Sequence, residues 1–369
     1  MSYSIHMKGY NDIRTLYQID SIYAWKHQMY FPPVMVEINP THKCNHKCRY
    51  CYTNSRGSNK DILRDDILIS SMAQFADAGV KAILFQGTGE PLVHQALPKA
   101  IEEGAKHQLT IGLTTNGVLL RNSLQERILD KLFYIRFSVI ENDPRRYAYL
   151  HGCSENDCRD LINNINNIVS LRHNHNLELG LFASIYLYKD NFHQAHNIVK
   201  FFKEIGIDYI LVQEATYTEF SPSGKEEFTS AGYSDDEIEE MKQKVFALCD
   251  EDFHVKIRFP SVDDSKCIGM TKDSWQNDFC QGTKFYTLLS ADGSIYPCWR
   301  FWGRNEYSYG SLYENNFAEI WKSERRKKID TYLNNTPPLG DECIVCNVVK
   351  INNILEQYKN ASKWKEFLT

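Results

Sequence analysis

Three cysteines fall within eight residues in EINPTHKCNHKCRYCY: Cys44, Cys48 and Cys51, spaced C-x3-C-x2-C. Thiolates at this spacing can wrap one face of a metal centre, and soft sulfur donors favour iron–sulfur clusters or zinc. A structural zinc site closes with four protein ligands, whereas the local count here stops at three. A cubane held by three cysteines leaves one iron open to a substrate or cofactor. The same residues also allow a zinc knuckle completed by His42, His46 or a distant ligand, or simply buried thiols.

A second group lies near the C-terminus. Cys280 opens and Cys298 closes the stretch CQGTKFYTLLSADGSIYPC, with Gly293 between them, giving C-x12-G-x4-C. The apolar runs TKFYTLL and SIYPCW flank SADG, which predicts a hairpin with an acidic–glycine turn and both cysteines at one end. A helical stretch, NNFAEIWKSERRKKIDTYL (315–333), leads to Cys343 and Cys346 as C-x2-C. Four thiolates would saturate a cluster, and zinc would satisfy the same count. Seven of the 11 cysteines are thereby used, leaving Cys153, Cys158, Cys249 and Cys267, for which an inert buried thiol is the expectation.

The elements that must position these groups alternate in type. Strand-like runs at 34–39, 82–86, 110–114, 134–140, 179–187 and 207–215 are separated by helical stretches. Such alternation predicts parallel strands with crossover helices. Cys44 follows the first strand and GTGEP follows the second, so both groups sit at strand carboxyl ends, where ligands collect in α/β proteins. Residues 216–275 read as a polar connection containing the helix SDDEIEEMKQKVFALCD, whose charges suit a solvated face.

Composition excludes other classes. With 369 residues, 43% hydrophobic and 24% charged, the chain is globular rather than disordered or coiled-coil. No run approaches the roughly 18 apolar residues of a membrane span, and MSYSIHMKGYND lacks a signal core, so a soluble cytoplasmic protein without disulfides is expected. Forty-two basic against 47 acidic residues, a net charge of −5, argues against a nucleic-acid coat.

Taken together, the chain resembles a radical S-adenosylmethionine (SAM) enzyme. The three-cysteine motif of that family matches Cys44, Cys48 and Cys51, with Tyr50 as the aromatic before the last cysteine. Its GGEP segment matches Thr88, Gly89, Glu90 and Pro91, with threonine in place of the first glycine. The resemblance implies cofactor contacts from Asn116, in TIGLTTNG, and from Ser138, in YIRFSVIEN. The arginine usual near RYAYLHG has only Arg146 or His151 to stand for it. The tail resembles the SPASM and twitch auxiliary-cluster modules, with GSLYENNFAEIWKSE (310–324) as a further match. Because no cysteine follows Cys346, the shorter one-cluster twitch form fits best.

The resemblance implies an α/β fold: a partial (β/α)6 barrel with a C-terminal β-hairpin plus helix auxiliary iron–sulfur domain. The expected organisation is a lead at 1–33, the barrel at 34–215, a connection at 216–275, the twitch-type domain at 276–350 and a last helix at 351–369. Two [4Fe–4S] clusters and SAM are the implied cofactors, with flavodoxin or ferredoxin as electron donor. The implied reaction cleaves SAM reductively to a 5′-deoxyadenosyl radical that abstracts hydrogen from substrate. An all-cysteine auxiliary cluster suits electron uptake, hence oxidation of an alcohol carbon in a sugar or cyclitol, a small polar substrate. Epimerisation of a sugar or peptide, with hydrogen returned from a spare cysteine, and peptide maturation are the alternatives. Only 33 residues precede the first strand, too few for a leader-binding winged-helix module, which favours the small metabolite. A non-catalytic iron–sulfur or zinc regulator would explain the thiols but not GTGEP. The residues name no substrate base.

Overall fold

The computed structural model describes residues 18–51, 61–188, 190–215, 233–258, 280–335 and 348–360. The six apolar runs form β1 (Met35–Ile38), β2 (Ala82–Phe85), β3 (Thr110–Thr115), β4 (Tyr134–Val139), β5 (Gly180–Leu187) and β6 (Tyr209–Glu214). Each pairs in parallel with the next, from Val36 opposite Ile83 on the first pair to Ser184 opposite Leu211 on the last. Helices make the crossovers: α1 (Ile19–Lys26) leads in, followed by α2 (Asp65–Ala78), α3 (Leu97–Lys106), α4 (Asn122–Ile128), α5 (Pro144–His151), α6 (Glu155–Asn174) and α7 (Ala195–Glu204). Helix α6 starts where Ser154 and Asp157 form a reciprocal capping box. Helix α2 stops at Gly79, whose φ of 97° favours glycine.

Beyond β6 the sheet continues. After α8 (Asp235–Phe246) comes β7 (His254–Arg258), which pairs in parallel with β6 inside the stretch that reads as a polar connection. Its sequence, HVKIR, alternates charged and apolar residues too briefly to stand out as a strand. The predicted hairpin is present as β8 (Tyr286–Leu289) and β9 (Ser294–Tyr296), with Gly293 in its turn at φ 80°. Strand β8 also pairs in parallel with the free edge of β1, and β10 (Gly310–Ser311) adds to β9. The strand order is therefore β10-β9-β8-β1-β2-β3-β4-β5-β6-β7 in a mixed sheet of ten strands. The helical stretch 315–333 divides at Ser323, whose extended backbone separates α9 (Phe317–Lys322) from α10 (Glu324–Asn335). Helix α11 (Val349–Asn360) follows. Among the described residues no helix is long and apolar enough to cross a membrane.

The two faces of the sheet differ. Ile135, Phe137 and Val139 of β4, Ile210 and Val212 of β6 and Ile257 of β7 are buried in the core beneath the helices. On the other face Tyr134, Arg136 and Ser138, then Tyr209, Leu211 and Gln213, then Lys256 and Arg258 are only half-buried. A closed barrel of this type fills its interior with packed side chains. Here, among the described residues, the inner face of β4 to β7 is largely polar and carries an aromatic layer in which Tyr134 stacks on Phe182 at 5.1 Å and Phe182 meets Tyr209 at 5.6 Å. Gly112 makes room for that layer, because a Cβ there would lie 2.6 Å from the Tyr134 ring.

Candidate active site

The loop after β1 carries the first three cysteines and is held from two sides. From one side, α5 accepts two of its backbone donors: Lys47 N–H bonds to the His151 carbonyl at 3.0 Å and Arg49 N–H to that of Leu150 at 2.9 Å. From the other, Glu90 N–H donates to the Lys43 carbonyl at 2.9 Å. Gly89 lies so close to this loop that a Cβ would stand 2.5 Å from the Thr41 carbonyl oxygen. Glycine at 89 is therefore required by approach of backbone to backbone.

Glu90 joins the ends of three strands. Its carboxylate, fully enclosed, accepts Thr115 Oγ1 at 2.6 Å, Asn116 N at 2.8 Å and Leu92 N at 3.1 Å. Asn116 in turn donates through Nδ2 to Asn45 Oδ1, inside the cysteine loop, at 2.8 Å. Burial raises the Glu90 pKa above the ordinary carboxylate value, and the three donors oppose that shift. Pro91 begins a buried turn whose first donor Glu90 caps, which explains the Glu-Pro pair. Thr88 is half-buried beside them.

None of the three thiols forms a disulfide among the described residues. Burial first, and then the neighbouring Cys51 and Cys44 sulfurs, hold the Cys48 thiol well above its ordinary range. Cys44 is exposed as a residue, yet the protein packed about its thiol pushes it up to about 12. Tyr50 packs edge-on against His151 with its hydroxyl 3.2 Å from Nε2, and Cys48 Sγ lies 3.4 Å from Nδ1 of the same ring. His151 itself stacks on Tyr147 at 4.0 Å, and burial drives its pKa well down. Arg146 faces elsewhere: its guanidinium bonds Glu141 at 2.9 Å and the Asp190 carbonyl at 2.6 Å. Ser138 sits on the inner face of β4, in register with Ser184 of β5.

Of the two histidines the sequence offers to a zinc site, His42 turns to the hairpin, with Nε2 3.5 Å from Ser290 Oγ and its ring edge-on to Trp302. His46 is buried with Nε2 3.6 Å from Asp157, and its donor atoms lie within 4.8 Å of those of Cys48 and His151. Among the spare cysteines, Cys158 is buried in the helix-facing core, Cys153 lies at the start of α6 and Cys249 follows α8. Cys267 lies outside the described residues, as do Cys343 and Cys346.

Comparison with known families gives two matches: the Radical SAM superfamily over residues 38–143, and an iron–sulfur cluster-binding domain, SPASM, over residues 280–347. The chain carries a radical SAM domain followed by a SPASM domain. Among related sequences, a tungsten-containing aldehyde ferredoxin oxidoreductase cofactor-modifying protein of Pyrococcus furiosus is 21% identical over 306 residues, covering 77% of this chain and 80% of the relative. A cysteine-type anaerobic sulfatase-maturating enzyme of Clostridium perfringens is 22% identical over 342 residues, covering 87% of this chain and 88% of the relative. Among solved structures, Streptococcus suis SuiB bound to a precursor peptide superposes with a TM-score of 0.63 at 17% identity, covering 95% of this chain and 79% of that one. That likeness concerns the fold.

The two domains imply [4Fe–4S] clusters, and SuiB has also been solved with S-adenosylmethionine. The residues of the radical SAM domain fit such groups: three thiols outside any disulfide sit on one loop, and the backbone of Gly89 and Glu90 presses directly against it. In the SPASM domain, Cys280 precedes β8 and Cys298 follows β9, so the antiparallel hairpin places both at its open end. Asn352 of α11, fully buried, accepts the N–H groups of Gln281 and Gly282 at 2.8 and 2.7 Å and lies 3.6 Å from Cys280 Sγ. Sequence reasoning missed Asn352, because an asparagine within a helix carries no signal of what it faces. It also missed Glu37, buried on the inner face of β1 and bonded to the hydroxyl of Tyr286 from β8. A charged residue in the apolar run VMVEI was the available hint.

Proposed function

We propose that the protein is a radical SAM maturase that takes hydrogen from a carbon of a peptide or protein substrate. The observation that carries this reading is the polar, half-buried inner face of β4 to β7, whose row at Tyr186 meets Tyr50 of the cysteine loop at 5.6 Å. The similarity to a sulfatase-maturating enzyme, and to a structure holding a precursor peptide, supports it. Oxidation of a sugar or cyclitol alcohol, the reaction expected from the sequence, has no such support, and the peptide reading displaces it.

In this reading Cys44, Cys48 and Cys51 hold the first cluster, and Tyr50 and His151 wall it on the α5 side. The backbone of Thr88, Gly89 and Glu90 receives the methionine end of SAM, while Asn116 and Ser138 meet its remaining polar groups. Cys280, Cys298, Cys343 and Cys346 hold one auxiliary cluster, and a flavodoxin or ferredoxin supplies electrons. SAM held on a reduced cluster supplies a carbon radical strong enough to take hydrogen from an unactivated carbon, so the cofactor carries the hard chemistry. The chain's share is geometry. Glu90 fixes the ends of β1, β2 and β3 relative to one another, and the helices seal the outer face of the sheet from water.

The test is anaerobic reconstitution with iron, sulfide, dithionite and SAM, followed by chromatography. Formation of 5′-deoxyadenosine is expected. An intact cluster that yields none would sink the enzyme reading.

A further inference from the structure

We propose that the inner face of the sheet between β4 and β7 recognises the carboxylate side chains of an acidic peptide through Arg136, Lys256 and Arg258. This rests on the peptide reading above and names the chemistry that the substrate must bring.

Strand register sets the arrangement. Arg136 aligns with Phe182, Tyr209 and His254; Ser138 aligns with Ser184, Leu211 and Lys256; Tyr186 aligns with Gln213 and Arg258. These are three successive rows of one face, because residues two apart on a strand point the same way. Four residues separate the first row from the third, about 13 Å along the strands at roughly 3.3 Å per residue. One small carboxylate could meet one row, whereas an extended peptide segment spans all three.

The charge on this face is one-sided. Among the described residues of β1 to β7 that point inward, the carboxylate is Glu37, which accepts the Tyr286 hydroxyl and feels the charge of Arg136, leaving Lys256 and Arg258 on the β7 side without an inward-pointing carboxylate of these strands beside them. Burial raises the Glu37 pKa and so weakens its negative charge. Against it stand three cations, all half-buried rather than spread in solvent. Arg258 Nε is buried with no hydrogen-bond partner among the described residues, an arrangement that costs stability unless a ligand supplies the acceptor. Tyr186, which feels both Arg136 and Arg258, holds the neutral middle of the patch with Gln213.

The patch also touches the radical chemistry. Tyr186 meets Tyr50 at 5.6 Å between ring centroids, and Tyr50 lies between Cys48 and Cys51 in sequence. The row containing Arg258 is therefore the row next to the cysteine loop. A carboxylate held there places a neighbouring peptide carbon beneath the cluster loop.

Two sources of carboxylate must be told apart, the peptide and SAM itself. The experiment uses the reconstituted holoenzyme and two synthetic peptide pools of equal length, one rich in Asp and Glu, the other in Lys and Arg. Binding is read by fluorescence anisotropy, and SAM affinity is titrated separately. The acidic pool should bind at least about tenfold more tightly, and the preference should shrink with added salt, as screening requires. The Lys256→Gln, Arg258→Gln double variant should lose most of that preference, and Arg258→Lys should keep part of it. Iron content and melting temperature confirm that each variant is folded; if the double variant loses iron, Arg258→Lys and Arg136→Gln carry the comparison. Equal binding of the two pools, or a preference that survives the double substitution, overturns the proposal. So does a loss of SAM affinity with the acidic preference intact, because the cations would then serve the cofactor. The proposed function fails separately, if no 5′-deoxyadenosine forms at all.

Discussion

The carboxylate of Glu90 accepts the backbone N–H of Asn116 at 2.8 Å, tying the end of β2 to the end of β3. Because Glu90 N–H also reaches the Lys43 carbonyl, a single residue locks the cysteine loop, the GTGEP turn and the Thr115–Gly117 turn into one cradle.

The first prediction concerns that residue. Glu90→Gln keeps the shape but gives one of the two oxygen positions a donor that faces an existing donor. A buried unsatisfied group costs about 1–3 kcal/mol. The variant should melt several degrees below the wild type and bind SAM more weakly, as measured by calorimetry on reconstituted protein. Unchanged melting and SAM affinity would mean that the cradle is not held this way.

Iron content should divide between the two cysteine groups. Wild type should carry about eight irons per chain, two cubane clusters. The Cys44→Ala, Cys48→Ala, Cys51→Ala variant should retain about four. Elemental analysis giving about four irons and one zinc in the wild type would contradict a second iron–sulfur cluster and return the tail to a zinc site.

Asn352 should matter to the auxiliary site although it is no ligand. Asn352→Ala leaves the Gln281 and Gly282 N–H groups without their acceptor, at a cost of about 1–3 kcal/mol for each buried donor. Iron should be lost from the variant to a chelator faster than from wild type. Asn352→Asp keeps the acceptor but loses the Nδ2 donor to Cys280 Sγ, so it should recover thermal stability and not iron retention; iron retention equal to wild type in both variants would place the effect elsewhere.

Stability should carry a pH signature from Asp208. Burial raises its pKa above the ordinary carboxylate range, and the Arg172 guanidinium, bonded at 2.5 Å, offsets that only in part. A raised pKa means that the folded state binds the proton more readily than the unfolded chain. The contribution of this group therefore falls as pH rises from the unfolded towards the folded pKa, and grows as pH falls. Relative to Asp208→Asn, wild type should gain stability as denaturant unfolding is moved from neutral to mildly acidic buffer. A change in the opposite direction would show that Arg172 outweighs burial.

Much of this architecture is legible in the sequence. The six apolar runs from VMVEI to IDYILVQEA became β1 to β6, because short buried parallel strands are continuous apolar stretches separated by amphipathic helices. The hairpin about Gly293 was legible for a similar reason, since an acidic–glycine turn between apolar runs is a local signal. Strand β7 was not, because HVKIR faces the helices on one side and a polar interior on the other, and its cations read as surface. The break at Ser323 within a helix-favouring sequence was equally hidden, being a matter of local backbone conformation.

What the sequence determined by itself is the chemistry: thiol count and spacing are covalent facts, and three cysteines beside a GTGEP turn point to an open cluster wherever the chain runs. What only the tertiary structure decided is the company those groups keep. Pairing of β8 with β1 brings Tyr286 onto Glu37 across 249 residues, and Asn352 comes back to Cys280 across 72. Register stacks Arg136, Lys256 and Arg258 on one face. These contacts are non-local, fixed by strand register and helix packing, and no short window of sequence carries them.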